Sequence, residues 1–234
     1  MRGSGSGIWT VVPAKDLADA KSRLAPVLSS EERRGLAAAM LKDVLAALAR
    51  VETLAGVVVV TSDAELAAQA HAAKARVIAD LRHAGPNAAI ALAAKHLAAE
   101  GAAGMVAIPA DVPLLTPMAV EQILAAMASV PSVTLVPALA DMGTNAVALA
   151  PVDAIPPCFG PLSFFRHQEA ALSRGLAPSI LRLSEISFDL DRPEDLAAFL
   201  AQPSHTKSYA YLCECGLAAR LDANGSRMAQ GLEP

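Results

Sequence analysis

Three acidic and three basic positions, far apart along the chain, have types and spacing that could do chemistry. The stretch "VAIPADVPLLTP", Val106 to Pro117, ends an apolar run in a proline and then sets one acid, Asp111, between Ala110 and Val112. A lone carboxylate just past a buried strand is a helix cap or a ligand for a cation. Thr116, directly before Pro117, is the better cap for the following helix, which moves Asp111 toward the cation. "ISFDLDRPEDL" carries Asp189 and Asp191 two apart on an extended segment, so both point to one face. Asp191 could instead cap the helix that starts at Pro193, whereas nothing helical starts at Asp189. Meeting across a crevice, Asp111 and this pair would make an oxygen-rich site suited to Mg2+, which takes a few carboxylates together with phosphate oxygens and water.

The basic residues lie in "PAKDLADAKSRLAP", directly after the first apolar run. Lys15, Lys21 and Arg23 on one loop suit a polyphosphate, Arg by two bonds and Lys as a point charge. A solvated basic loop explains them equally well. "DMGTNA" and "CFGPLSFFRH" are the remaining polar clusters. In the second, Gly160-Pro161 precedes a helix whose first turn holds Ser163. A helix N-terminus is a ready anion site. His167 in that helix is a packed, hydrogen-bonded histidine or a ligand contact, and the sequence does not choose.

Elements able to position these residues alternate along the chain. Strands are expected at "IWTVVP" (Ile8 to Pro13), "GVVVVTS" (Gly56 to Ser62), "RVIAD" and "GMVAIP", with helices between them. Leu36, Met40, Leu41, Val44, Leu45 and Leu48 share one face of the first helix, and Ser29 with Glu32 offers it a capping box. Ser62 with Glu65 suggests a second box, opening a helix to Ala75. An alanine-rich helix covers Asn87 to Glu100, and another runs from Thr116-Pro117 to Met127. Beyond that the rhythm loosens: strands at "VTLVP", "NAVALA", "SILRL" and "ISFDL", a helix from Ser163 to Arg174 closed by Gly175, and a last helix from Pro193 to Gln202. Such alternation implies a mainly parallel sheet with right-handed crossovers, helices on both faces and a small antiparallel extension. In such sheets ligands bind beyond the carboxyl ends of the strands, where Asp111 falls. Residues 8–203 form this domain. Residues 1–7 read as a flexible leader or expression remnant. The tail 204–234 is expected to be partly disordered or loosely docked.

Composition excludes several classes. Hydrophobic residues are 54 % of the 234 and aromatics only 3 %, so the core is built from Val, Leu, Ile and Ala, as parallel sheets under helices are. A net charge of −4 without a basic block argues against nucleic acid. No apolar run reaches the ~20 residues of a membrane span, and the leader has no signal-peptide core. Three cysteines make a disulfide framework improbable and a cytoplasmic protein the default. Cys213-Glu-Cys215 lacks the second pair a zinc site needs. No G-x-G-x-x-G follows the first strand, so a dinucleotide enzyme is not indicated. The hairpin near Val133 to Leu149 offers a surface that could pair two chains into a homodimer.

"VPAKDLADAKSRLAPVLSSEERRGLAAAML", "IPADVPLLTP", "GTNAV", "FGPLSFFRH" and "FDLDRPEDL", in this order, resemble the 2-phospho-L-lactate guanylyltransferase family of coenzyme F-420 biosynthesis. The resemblance runs from about Trp9 to Leu200. It implies a single-domain, Rossmann-like (GT-A-like) nucleotidyltransferase that joins GMP from GTP to 2-phospho-L-lactate, phosphoenolpyruvate or 3-phosphoglycerate and releases pyrophosphate. By resemblance, Asp111, Asp189 and Asp191 fall on magnesium-binding acids, and Thr144, Gly160 and Ser163 on positions that hold the phospho-acid. Lys15, Lys21 and Arg23 fall in the nucleotide-phosphate loop, and Gly85 and Asn87 near the nucleotide. Lys21, Arg23 and Asp111 are the expected catalytic residues. The chain departs from the pattern at "HAGPNA", which has one glycine and Pro86, and at Leu162, where the family commonly has glycine. The competing readings are a nucleotidyltransferase for a sugar phosphate or molybdopterin and a non-catalytic nucleotide-binding protein on the same fold.

Overall fold

The computed structural model describes residues 6–81, 84–139, 142–217 and 220. Residues 1–5 of the expected leader and 218–219 and 221–234 of the expected tail lie outside them. Four short β-branched or small-residue runs form parallel strands β1 (Ile8–Pro13), β2 (Gly56–Thr61), β3 (Arg76–Ala79) and β4 (Gly104–Ala107). The loosely patterned second half adds β5 (Ser132–Pro137), β6 (Thr144–Ala150) and β7 (Ser179–Ile180). The seven-stranded sheet has the order β3-β2-β1-β4-β6-β5-β7. Only β6 runs against its neighbours.

Helices α1 (Ser30–Leu48), α2 (Ala64–Ala72), α3 (Pro86–Ala99), α4 (Pro117–Ala126) and α5 (Ser163–Leu172) cover the sheet. Leu41, Val44, Leu66, Val120 and Ile123 from α1, α2 and α4 meet Val12, Val59 and Val106 on one face. Ile90, Leu97 and Phe164 from α3 and α5 meet Val11, Val58 and Leu149 on the other. Adjacent strand residues thus feed opposite cores, as the pleat requires, and both faces are buried. The chain steps outward from β1 to β2 and β3, then crosses back to lay β4 on the other side of β1. That reversal opens a crevice beyond the carboxyl ends of β1 and β4. Because β6 is antiparallel, its first residues, Thr144 and Asn145, come to the same end.

Several local expectations change. Asp63, not Ser62, caps α2: its side chain accepts from the N–H groups of Glu65 and Leu66, and its second oxygen takes Leu17 N–H at 3.1 Å. A carboxylate one residue later reaches the free N–H groups that a serine would compete for. α2 then stops at Ala72 rather than Ala75. "ISFDL" is not a strand: α6 (Ser184–Ser187) comes first, and 188–191 is extended without a ladder. Leu183 and Ile186, three apart, both sit in the core, and that helical spacing overrides the β-propensity of the run. Ser187 O accepts from Leu139 N–H instead of from a neighbouring strand. Within "SILRL" only Ser179 and Ile180 pair, with β5. In the hairpin near Val133 to Leu149, β6 is flanked by β4 and β5, and β7 pairs with β5 only at Thr134 and Leu135.

The described part of the tail is a docked helix rather than a loose segment. α7 (Pro193–Leu200) and α8 (Lys207–Glu214) pack on the outer side of α1, where Leu36, Met40, Leu196, Phe199, Leu212 and Leu217 make a third core. Asp43 of α1 accepts from Lys207 N–H, Ser208 N–H and the Ser208 hydroxyl, a cap supplied from a distant helix. Leu212 and Leu217 are both 0 % exposed, and each such burial stabilises by about 2 kcal/mol.

Candidate active site

The crevice is a cleft of about 720 Å3. Pro13 to Asp16 and Ala20 to Arg23 reach it from the loop after β1, and Pro109 to Asp111 from the loop after β4. Asp189 and Asp191 enter from the extended segment after α6. Leu190 N–H donates to Asp111 O at 3.2 Å, so the two acidic loops are joined through their backbones.

Lys21 is the centre of the charged end. Its Nζ donates to Asp111 Oδ2 and to Asp191 Oδ1, both at 2.7 Å, and its side chain is 8 % exposed. Arg23 Nη1 reaches the other oxygen of Asp191 at 3.1 Å from an exposed position. Asp189 Oδ1 accepts from Asn145 Nδ2 at 3.1 Å, and the same amide donates to Ile186 O at 2.9 Å. Asp191 does not cap α7: Asp195 accepts from Asp191 N–H and Arg192 N–H just before that helix, and the Asp191 carboxylate is held by Lys21 and Arg23. The solvated-loop reading fails for Lys21, which is buried between two acids 90 and 170 residues away.

These contacts set the charges. Burial opposes the Lys21 ammonium, but the negative charges of Asp111 and Asp191 outweigh it and hold its pKa above the ordinary value. Burial likewise pushes Asp191 up, and Lys21 and Arg23 reverse the effect, so its carboxyl titrates below the usual range. Asp189 is pushed up to about 6, first by burial and then by the charge of Asp111, against the help of Asn145. Among the described residues no ion pair to Asp189 forms, and the charge of Lys21 lowers its pKa only in part.

Carboxylate oxygens are the donor type a hard cation takes. Three carboxylates line one cleft, and between two of them a cation, the Lys21 ammonium, already stands. Among the described residues no three Asp, Glu, His or Cys groups are gathered as a finished metal shell. This includes Cys213 and Cys215.

The other expected residues divide. Lys15 lines the cleft, as do Gly85 and Gly160. Gly85 has φ 88 and caps α3, with Pro86 at the first helical position, where its missing N–H would have found no partner in the helix. Asn87 is not in the cleft wall. Its amide holds Phe159, with Nδ2 donating to Phe159 O at 2.9 Å and Oδ1 accepting from Phe159 N–H at 2.7 Å. Thr144 and Ser163 are buried, 4 % and 1 % exposed, and do not line the cleft. His167 is the packed histidine: Nε2 accepts from Cys158 N–H at 2.9 Å, so the proton sits on Nδ1, 3.1 Å from Thr144 Oγ1. Burial lowers its pKa to about 4. Leu162 precedes α5 at φ 55, a left-handed conformation that glycine adopts without strain.

Ser62, Asp80, Asn145 and Phe159 also line the cleft and were not expected there as site residues. Asp80 carried a usable signal: like Asp111, it is an acid just past the end of an apolar strand. Phe159 carried none, because nothing in "CFGP" says that it will be held against α3.

A mostly parallel sheet with its cleft at the strand reversal, and acidic and basic loops facing each other there, defines a nucleotidyltransferase. Solved structures agree at the level of fold. A protein described as a nucleotide-diphospho-sugar transferase from Desulfovibrio desulfuricans G20 superposes with a TM-score of 0.75 at 18 % identity over 92 % of this chain and 98 % of its own. The 4-diphosphocytidyl-2C-methyl-D-erythritol synthase of Anaerococcus prevotii gives 0.60 at 9 % identity, covering 90 % and 97 %. The chain belongs to the family of CofC-like guanylyl transferases, whose profile matches residues 8–230. Among curated relatives, a phosphoenolpyruvate guanylyltransferase from Rubrobacter xylanophilus is 41 % identical over 81 % of this chain and 92 % of its own. A 3-phospho-D-glycerate guanylyltransferase from Phenylobacterium zucineum is 42 % identical over 75 % and 82 %. Another of that name, from Colwellia psychrerythraea, is 33 % identical over 87 % and 97 %.

Proposed function

We propose that this chain transfers GMP from GTP to a small phosphorylated acid (2-phospho-L-lactate, phosphoenolpyruvate or 3-phosphoglycerate) in the cytoplasm, as a step toward coenzyme F-420. The observation that carries the reading is the convergence of Lys21, Arg23, Asp111, Asp189 and Asp191 in one cleft. A phosphate oxygen of the acid attacks the α-phosphorus of GTP. The bond from that phosphorus to the bridging oxygen breaks, and pyrophosphate leaves with the electron pair. The nucleophile is already anionic, so no general base is needed, and buried, neutral His167 is not placed to be one. The obstacle is repulsion between anions: two unit charges ~4 Å apart repel by ~4 kcal/mol at an effective dielectric of 20, against ~1 in water. Lys15, Lys21 and Arg23 bind the triphosphate and offset its charge. Asp111, Asp189 and Asp191 would hold Mg2+, which when bound neutralises phosphate charge in such reactions.

In this reading the base and sugar lie toward Gly85 and the start of α3, and the acid lies toward Gly160 and the start of α5, in front of Thr144 and Ser163. No helix among the described residues is long and apolar enough to cross a membrane. A homodimer, in this reading, would pair through the β5–β6 hairpin, whose β5 edge β7 covers only at Thr134 and Leu135. The test is a panel of GTP, CTP and ATP against the three acids and a sugar phosphate, with pyrophosphate detection. Release with GTP and one of the acids is expected. Release only with CTP, or only with the sugar phosphate, would overturn the assignment.

A further inference from the structure

Two pieces of chain far apart in sequence both line the cleft: the first turn of α3, through Gly85, Pro86 and Ala89, and the Phe159–Gly160 turn before α5. Asn87 ties one to the other. Its amide gives one hydrogen bond to the backbone of Phe159 and takes one from it, at 2.9 and 2.7 Å. The pattern copies the doubly bonded residue pair of an antiparallel ladder. Only a side-chain amide can do this at that reach, because a carboxylate accepts but cannot donate and a hydroxyl is too short to span both groups. From the far side the same turn is held by α5, through Cys158 N–H on His167 Nε2 and the edge of the Phe159 ring against the imidazole, centroids 5.0 Å apart. The turn is thus clamped between the two helices whose N-termini face the two proposed substrates.

We propose that Asn87 is a positioning residue that couples the nucleotide half of the cleft to the acceptor half through Phe159, so that each substrate strengthens binding of the other. The proposal rests on the reading above, in which GTP lies at the α3 turn and the phospho-acid at Gly160. A nucleotide seated against Gly85 fixes the first turn of α3. Asn87 then fixes Phe159, and with it the Gly160 backbone that the acid needs. Such coupling is reciprocal and commonly worth about 5-fold or more in affinity.

The experiment is titration calorimetry of a GTP analogue carrying a methylene in place of the α,β-bridging oxygen, with Mg2+, with and without saturating phosphoenolpyruvate or 3-phosphoglycerate, on wild type and Asn87→Ala. Wild type should bind the analogue about 5-fold tighter when the acid is present. In Asn87→Ala that ratio should fall to about 1 while the analogue still binds alone. A merely structural role would lower thermal stability and leave the ratio unchanged, and that result overturns the proposal. An equal loss of nucleotide affinity with and without acid would show direct contact with the nucleotide and overturn it too. A wild-type protein that binds neither the analogue nor the acids would refute the underlying reading as well. If Asn87→Ala does not fold, Asn87→Asp keeps the acceptor for Phe159 N–H and loses the donor. Its added charge acts on the nucleotide whether or not the acid is bound, so a ratio below that of wild type supports the proposal and an unchanged ratio refutes it.

Discussion

Replacing Lys21 with methionine keeps an unbranched apolar stem one atom shorter and removes the ammonium between Asp111 and Asp191. Taken alone, each pair is worth ~4 kcal/mol at ~4 Å and an effective dielectric of 20. Burial of the ammonium, 8 % exposed, offsets much of this. The two carboxylates are 29 % and 35 % exposed, so water screens them further. A net loss of about 2 kcal/mol is expected, or a Tm lower by roughly 4–8 °C for a chain of this size. The diagnostic part is the response to Mg2+ without nucleotide. In wild type the lysine holds the cation position, and millimolar Mg2+ should move Tm little. In the variant Asp111 has lost the ammonium and Asp191 keeps only the exposed Arg23, and Mg2+ should restore most of the loss, since an ion that binds only the folded state stabilises it by mass action. Thermal unfolding followed by circular dichroism at low ionic strength, with and without Mg2+, reads both effects. An unchanged Tm, or the same Mg2+ response in both proteins, would refute the claim that Lys21 fills the cation position.

Other consequences can be measured on the free protein. Leu212→Ala empties a fully buried site between α8 and α1 and should cost about 3 kcal/mol in urea unfolding, whereas a loosely docked tail would show almost none. His167 is held neutral, with a folded pKa of about 4 against an ordinary 6.5. The unfolded chain therefore binds the extra proton first. The His167 contribution to stability is complete above pH 6.5 and falls by about 1.4 kcal/mol per pH unit from there toward pH 4, roughly 3 kcal/mol in all, while Asp189, raised to about 6, contributes in the opposite sense below pH 6. The pH dependence of unfolding should lose that slope in His167→Gln; an equal slope in both would assign it to other groups.

Much of the sheet was legible because its strands are buried on both faces. Apolar runs such as Val57 to Val60 and Met105 to Ile108 have few other places to go. Legibility failed where packing outranked local preference. Ile186 looks like a strand residue, but it and Leu183 fill the core at helical spacing. The acid triad could be read because a carboxylate past a strand end has few structural duties, and Thr116 had already taken the cap of α4. That Lys21 would turn inward could not be read. It takes a backbone at φ 51 and two acids brought from far along the chain, which only the finished fold supplies. Asn87 shows the same limit: the sequence does not reveal that its amide bonds to a residue 72 positions away.

The most direct test of the account is 31P nuclear magnetic resonance of purified wild type and Asp111→Asn with GTP, Mg2+ and phosphoenolpyruvate or 3-phosphoglycerate. Wild type should yield pyrophosphate together with the paired signals of a new diphosphate linking GMP to the acid. Asp111→Asn should do so at least ~10²-fold more slowly, as losing one strong electrostatic contact does. Near-normal turnover in Asp111→Asn, or no diphosphate from wild type with any of the three acids, would contradict it.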